Sequence, residues 1–157
     1  MPVKRIDVTE HPSVKGIVGR GKHDNLLFNS ATSHVWIHNS PPGDKGPMHR
    51  HTADQTFYGL DGECWLNFPD GTRQSITPGV LVVIPKGQYY QQEAPSHTGY
   101  VFLGTRAETY ENSRFGPEGQ EIKMQSLPRG MRCTHGGDIA DPDFNNSHVE
   151  ILWPTDA

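Results

Sequence analysis

The chain has 157 residues, a length typical of a single domain, and a formal net charge of −4 with no block of like charge. That balance gives no basis for nucleic acid or an anionic membrane as a partner. The first residues lack the apolar run of a signal peptide, and no apolar stretch is long enough to span a bilayer, so we expect a cytoplasmic protein.

The 17 glycines and 13 prolines are spread along the chain, a pattern typical of many short strands joined by turns. A "DG" at 61–62 favours a hairpin between the third and fourth predicted strands, and a second "DG" at 70–71 marks another turn. The apolar run 80–84 is typical of a strand buried on both faces. In chain order the predicted strands are 25–29, 34–39, 55–60, 63–68, 80–84, 88–94 and 99–106.

Beyond the last of these strands the pattern weakens. Residues 106–113 favour a helical turn or two, and the glycine-rich stretches that follow are typical of loops. Residues 148–154 predict a final strand that pairs with a sheet edge or with a partner subunit. Short strands at such spacing favour a β-sandwich or a closed barrel.

Nine histidines direct attention to metal or acid–base chemistry. Two of them form a His-x-His pair, His49 and His51, which offers two imidazoles to a metal. The surrounding residues have a regular spacing: Gly43, five residues, His49-Arg50-His51, three residues, Gln55, six residues, Gly62. Residues two or four apart on a strand share a face, so both histidines and Gln55 project inward if the strand continues without a bulge.

A second spaced group follows: Gly79, five residues, Pro85-Lys86-Gly87, two residues, Tyr90, three residues, Ala94. In spacing, the two groups together resemble the paired motifs of the cupin superfamily. The departures are Gln55 in place of a glutamate in the first motif, and Tyr90 and Ala94 in place of a histidine and an asparagine in the second.

The resemblance implies an all-β fold, a single cupin domain built as a double-stranded β-helix (jelly-roll) barrel. The domain would span 1–157, with the barrel core at about 14–108 and an irregular, loop-rich extension with a terminal strand over 109–157. It also implies a homodimer and a small-molecule substrate.

The same resemblance implies one divalent transition metal held by His49, His51, Gln55 and Tyr90. Iron is favoured, with Zn, Mn, Ni or Cu as alternatives. The Gln55 amide brings no charge, so the metal would be a stronger Lewis acid. Tyr90 is either the fourth ligand, as a phenolate, or an acid–base group, and Gln55 and Tyr90 are the candidate catalytic residues. His38 is an additional candidate ligand, although an outer-face or rim position is favoured for it.

Other candidates carry weaker signals. His97 lies in a predicted turn exposed to solvent. Arg50 and Arg106 are expected at the surface, with pairing to an anionic substrate as the alternative. Cys133 and His135 resemble a metal-binding fragment without a matching second pair. We expect Cys64 and Cys133 as free thiols, with a disulfide between them as the alternative. Aromatic residues expected to fill the barrel are Phe57, Trp65, Tyr100 and Phe102.

The resemblance favours a metal-dependent enzyme that acts on a small organic molecule, with oxygenase-type chemistry first. The alternative is a non-redox isomerase, cyclase or lyase in which Tyr90 moves the proton. A third reading, from another class, is a non-catalytic barrel that only binds a small ligand.

Overall fold

The computed structural model describes residues 3, 5–10, 23–110, 113–123 and 132–134. A short 3-10 helix, Val8–Glu10, comes before the first strand. The strands are β1 His23–Asn29, β2 His34–Ser40, β3 Arg50–His51, β4 Gln55–Gly62, β5 Cys64–Asn67, β6 Arg73–Ile76, β7 Leu81–Ile84, β8 Gln91–Glu93, β9 Tyr100–Arg106, β10 Ser113–Phe115, β11 Glu121–Lys123 and β12 Arg132–Thr134.

These strands form three antiparallel sheets. One has six strands in the order β12-β1-β2-β9-β4-β7, and two have three strands each, in the orders β11-β10-β3 and β6-β5-β8. Two isolated bridges, Lys45 with Glu93 and His49 with Tyr90, connect the small sheets to each other. The resulting double layer is the predicted all-β jelly-roll fold. No helix among the described residues is long and apolar enough to cross a membrane.

The six-stranded sheet buries its inner face and part of its outer face. Its inner face carries alternate residues of β2, β4 and β9, because successive side chains on a strand point to opposite sides. These residues join the main core, whose aromatic members include Trp36, Phe57, Tyr100 and Phe102. On the outer face Leu27, Ile37 and Val101 form a second, smaller cluster.

Register across the inner face places residues in rows. His34, Arg106 and Gln55 are direct neighbours across β2, β9 and β4, and the next row contains Trp36, Gly104 and Phe57. A Cβ atom on Gly104 would lie 2.5 Å from the Trp36 ring, so the missing side chain makes room for the indole. The polar row therefore lies directly beside an aromatic layer.

Most predicted strands are confirmed, but two local expectations in this part of the chain were wrong. The "DG" at 61–62 does not close a hairpin, because β4 and β5 belong to different sheets and the chain crosses between them here. The run 80–84 is not buried on both faces, since Leu81 and Val83 are 59% and 63% exposed on an edge strand. The "DG" at 70–71 does turn the chain, between β5 and β6.

The region after β9 also differs from expectation. Residues 111 and 112 of the predicted helical turn lie outside the described residues, and no helix is assigned to 107–110. The stretch predicted as loop forms the hairpin of β10 and β11. β12 pairs with β1 at the far edge of the large sheet. The predicted strand 148–154 and His135 lie outside the described residues. Cys64 is a free, buried thiol.

Candidate functional site

At the candidate site the two spaced motifs are joined by the backbone pair of His49 and Tyr90. His49 and Tyr90 form an antiparallel bridge in which each amide N–H donates to the other residue's carbonyl oxygen, both at 2.9 Å. Directly opposed residues in such a pair direct their side chains to the same side. His49 directly precedes β3 and Tyr90 directly precedes β8, so the bridge between the two small sheets places both side chains together.

The side chains of this pair are also hydrogen-bonded. His49 Nδ1 lies 2.8 Å from the carbonyl oxygen of Pro47, and Nε2 lies 3.1 Å from the Tyr90 hydroxyl oxygen. A carbonyl only accepts, so Nδ1 carries the proton and donates it. In the neutral ring Nε2 then holds the lone pair and accepts from the Tyr90 O–H. Both residues are almost fully buried.

His51 completes this group. Its ring meets the His49 ring edge-on, with centroids 4.9 Å apart, and its centroid lies 6.2 Å from that of Tyr90. His51 is buried, and its carbonyl oxygen accepts a 2.9 Å bond from the amide of Gly87. Gly87 adopts a positive φ of 82°, a conformation that glycine tolerates without steric strain. This hydrogen bond therefore joins the turn of the second motif, at Gly87, to His51 of the first motif.

Gln55 is not on a continuation of the histidine strand. Bends at 52 and 53 separate β3 from β4, and the two strands belong to different sheets. Gln55 is nevertheless buried, and its carbonyl oxygen accepts from Arg106 Nε at 3.0 Å and from Arg106 Nη2 at 2.9 Å. The condition of an uninterrupted strand is therefore not met, and the Gln55 carbonyl contacts a guanidinium.

Arg106 was expected at the surface and is instead 5% exposed inside the barrel. Its guanidinium lies 4.8 Å from the Trp36 ring centroid, and its Nη1 lies 3.4 Å from His34 Nε2. His34 Nδ1 donates to the Glu108 carbonyl oxygen at 2.7 Å, which leaves Nε2 as the acceptor. Phe102, Gly104 and Arg106 are spaced two residues apart on β9, so they share one face of the strand. Since Phe102 was expected inside the barrel, this spacing was the signal in the sequence that the Arg106 side chain points inward.

Aromatic side chains surround these polar groups. The Phe57 ring contacts both Tyr90 and Trp36, at 5.9 and 6.0 Å between centroids. His38 also points inward, against the favoured rim position, and its ring stacks on Phe102 at 5.1 Å. The Phe57, Phe102 and Tyr100 rings fill the barrel as predicted.

Trp65 and His97 do not belong to this interior. Trp65 is half-buried under the Arg73 guanidinium, 4.0 Å from the ring centroid. The expectation that Trp65 fills the barrel was therefore wrong. His97 is exposed in a turn, as predicted. Arg50 is partly exposed and lies 4.6 Å above the ring of Phe115.

Comparison with known proteins agrees with this architecture. The family model described as "Cupin domain" matches residues 36–103, which contain both motifs and the strands from β2 to most of β9. The likeness to the cupin superfamily therefore rests on residues 36–103, and the all-β fold agrees with it. No curated protein shows a significant match to the sequence.

Several solved structures share the fold. An RmlC-like cupin from Shewanella frigidimarina is 24% identical with a TM-score of 0.52, over 59% of this chain and 81% of its own. The polyketide cyclase RemF from Streptomyces resistomycificus is 20% identical with a TM-score of 0.54, over 68% of this chain and 80% of its own. The DMSP lyase DddQ from Ruegeria pomeroyi is 19% identical with a TM-score of 0.51, over 58% of this chain and 46% of its own. At these identities the likeness is one of fold.

Cupins often bind a metal. Among the described residues no group of three or more His, Cys, Asp or Glu side chains is placed to hold an ion. Two buried imidazoles and a phenol do come together. A ligating histidine usually donates its second ring N–H to a carbonyl or carboxylate, as His49 does to Pro47. His49, His51 and Tyr90 therefore fit a divalent transition metal by donor chemistry.

Proposed function

We propose that this cupin barrel is a metal-dependent enzyme that acts on a small organic molecule. In this proposal His49 and His51 hold one divalent transition metal, and Tyr90 exchanges a proton with the substrate. The observation that carries the proposal is the buried 3.1 Å contact between the Tyr90 hydroxyl and His49 Nε2.

The His49 ring is held in one orientation before any ligand arrives. Its Nδ1–H bond to the Pro47 carbonyl fixes the tautomer and directs the Nε2 lone pair inward. The backbone pair with Tyr90 holds the same residue from the other side. Such preorganisation is what a ligating histidine requires, because little motion is then lost on binding.

Tyr90 has the position and chemistry of an acid–base group. A metal bound at His49 Nε2 would take the lone pair that accepts the Tyr90 O–H, and the phenol would then lie beside the ion with its proton available to a substrate. A bound divalent cation would polarise a substrate carbonyl or hydroxyl and favour the ionised form of a nearby phenol. Phe57 packs against the Tyr90 ring and limits the access of water to it.

This arrangement favours non-redox proton transfer, of the isomerase, cyclase or lyase kind, over the oxygenase chemistry expected from the sequence. The proposed site contains a neutral phenol and two imidazoles. The Gln55 carbonyl oxygen accepts two hydrogen bonds from Arg106 and is not counted among the proposed metal ligands. Two imidazoles suit Fe, Zn, Mn, Ni and Cu alike, so each of these metals would be tested. Iron comes first because it is the metal that the sequence comparison with cupins favours.

Metal analysis of the purified protein tests the proposal. We expect about one divalent metal per chain in the wild type and loss of it in His49→Ala with His51→Ala. His97→Ala is the matched control, since His97 is exposed in a turn and should leave metal content unchanged. Retention of metal by the double variant, or a wild type that cannot be loaded, refutes the proposed site.

Turnover with and without oxygen tests the reaction class. Candidate small carbonyl and phenol compounds would be screened with metal-loaded protein in air and under anaerobic conditions. Product formation that is unchanged without oxygen supports proton-transfer chemistry. Product formation that requires oxygen refutes it and returns the reaction to the oxygenase class.

A further inference from the structure

Strands β6 and β7 follow one another along the chain but do not pair. A tight turn joins them, in which the Val80 amide donates to the Thr77 carbonyl oxygen and Gly79 adopts a φ of 87°. β6 is an edge strand of a three-stranded sheet, and β7 is an edge strand of the six-stranded sheet. Residues of both strands line a cleft of about 540 Å³.

The cleft is bounded by the edge of β7 rather than by one of its faces. Val82, Val83 and Ile84 are consecutive, and all three line the cleft. Because successive side chains on a strand point to opposite faces, a surface that includes three residues in a row is the strand edge. The opposite wall includes Phe68, directly after β5, and Gln74 of β6.

The edge of β7 carries backbone groups that the sheet does not use. The Gly59 amide donates to the Val80 carbonyl oxygen, so these two residues belong to the hydrogen-bonded positions of the β4–β7 pair. Such positions alternate along antiparallel strands, so Leu81 and Val83 direct their N–H and C=O groups away from β4. No described strand pairs with that side of β7.

This edge lacks the usual protection against further pairing. Natural sheets protect an edge with lysine, proline, a bulge or a covering segment. Leu81–Ile84 contains no charged residue and no proline, its pairing with β4 has no register shift, and Leu81 and Val83 are exposed. At about 3.4 Å per residue the edge is about 13 Å long, which accommodates about four residues of an extended chain.

The charge of the cleft is negative. Asp70 is the one charged lining residue in the part of the chain that the structure describes. Its Oδ1 accepts from the Thr72 hydroxyl at 2.6 Å and from the Thr72 amide at 2.9 Å, and these bonds lower the pKa of the Asp70 carboxyl. Oδ2 remains for a positively charged group of a ligand. The guanidinium of Arg73 lies over Trp65 and donates to Asn67.

We propose that this cleft, between the free edge of β7 and Asp70, binds an extended peptide segment of a partner protein that carries a basic side chain. The peptide adds to β7 as a strand and exchanges hydrogen bonds with the backbone of Leu81 and Val83. Its lysine or arginine pairs with the Asp70 carboxylate, and an apolar side chain contacts Phe68. The proposal does not depend on the metal site, since none of the proposed metal ligands lines the cleft.

Blocked hexapeptides that alternate valine with lysine are suitable probes. Binding of a labelled peptide to the full chain would be measured by fluorescence anisotropy. The lysine peptide should bind at least about tenfold more tightly than the same peptide with glutamate in place of lysine. N-methylation of every internal amide removes the donors that pair with a strand edge, so it should weaken binding by about tenfold or more.

Val83→Pro tests the strand edge, because it removes an N–H that is not bonded to β4. It should weaken binding of the lysine peptide by about tenfold or more. Val83→Ala is its matched control, since it shortens the same exposed side chain and keeps the N–H. It should bind the peptide within about threefold of the wild-type affinity. Urea unfolding of both variants verifies that they fold.

Asp70→Asn tests the charge and still offers Thr72 an acceptor oxygen. It should reduce the preference for the lysine peptide over the glutamate peptide by about tenfold. Asp61→Asn is the matched control, because Asp61 is also exposed and also accepts a backbone N–H, from Gly62, but does not line the cleft. It should keep the full preference.

Four outcomes overturn the proposal. One is the lack of lysine-peptide binding at about 1 mM. Another is equal binding of the glutamate or N-methylated peptide. The third is undiminished binding by both Val83→Pro and Asp70→Asn, which would place the peptide elsewhere on the molecule. The fourth is a concentration-dependent dimer that Val83→Pro dissociates and that binds no peptide, because the edge would then belong to a second copy of the chain.

Discussion

His49 and Tyr90 are paired twice, once through the backbone and once through their side chains. Two 2.9 Å amide–carbonyl bonds join the main chains, and the Tyr90 hydroxyl lies 3.1 Å from His49 Nε2. One residue comes from each of the two spaced motifs. The register between the motifs is therefore fixed at the point where their functional side chains meet.

The first prediction concerns the Tyr90 hydroxyl. Tyr90→Phe should keep bound metal at wild-type stoichiometry, because both imidazoles remain, and should abolish proton-transfer turnover. Stability should fall by only about 0.5–1.5 kcal/mol, the usual contribution of one hydrogen bond, since the ring still packs on Phe57. Metal analysis, urea unfolding and turnover would be measured together.

Tyr100→Phe is the control for that substitution. Tyr100 is also fully buried, but its ring stacks on Phe102 and lies beside His38, in other rows of the sheet. It should leave turnover unchanged. If Tyr90→Phe loses metal as completely as His49→Ala does, Tyr90 is a required ligand and the acid–base assignment is wrong.

The second prediction uses two arginines that each lie over a tryptophan ring. Arg106 lies over Trp36 with its side chain 4% exposed, and Arg73 lies over Trp65 with its side chain 45% exposed. Arg106→Met should destabilise the protein by about 2–4 kcal/mol, because it leaves the Gln55 carbonyl without its two donors.

Arg73→Met should lower stability by less than about 1 kcal/mol, since exposed cation–π contacts and ion pairs contribute little. The free energy of unfolding in urea measures both changes on the same scale. Equal destabilisation by the two substitutions would contradict the idea that Arg106 organises the polar row of the barrel.

Much of the fold could be predicted because strand periodicity and turn chemistry are local. Val35 and Ile37 alternate with inward His34 and Trp36, as the sequence indicates. Pro85 and Gly87 of the second motif predict a turn, and Gly87 adopts a φ of 82°. Both motif histidines were expected inside, and both are buried.

The remaining features depend on which sheet a strand joins. An apolar run cannot reveal that β7 is an edge strand, so the exposure of Val83 was missed. A "DG" is a turn signal whether the chain returns beside itself or crosses to another sheet, as it does at Gly62. Arg106 becomes buried only because β2 and β4 supply His34 and Gln55 as its neighbours.

The third prediction concerns close packing at Gly104. A Cβ atom there would approach the Trp36 ring to 2.5–2.7 Å, well inside van der Waals contact. Gly104→Ala should therefore destabilise the protein by about 1–3 kcal/mol, as overpacked cores do. Adding Trp36→Phe removes part of the clash, so the double variant should be less destabilised than the sum of the single changes. Strict additivity would show that the indole is not what Gly104 accommodates.

The last prediction concerns stability in alkali. Burial raises the pKa of the Cys64 thiol above its ordinary value of 9.0 and the pKa of the Tyr100 hydroxyl well above 10.0. Both groups stay neutral in the folded protein at pH values where they ionise in the unfolded chain. The folded state then binds more protons, so the free energy of unfolding must fall as pH rises past 9.0.

The fall should reach about 1.4 kcal/mol per pH unit for each group once its unfolded form is ionised. Cys64→Ala removes the first of the two groups, so the difference in unfolding free energy between wild type and variant should shrink progressively above pH 9.0. Urea unfolding at stepped pH measures this difference. Cys133 is present in both proteins and cancels. A difference that stays constant across this range would mean that the Cys64 thiol ionises equally easily in the folded and unfolded states.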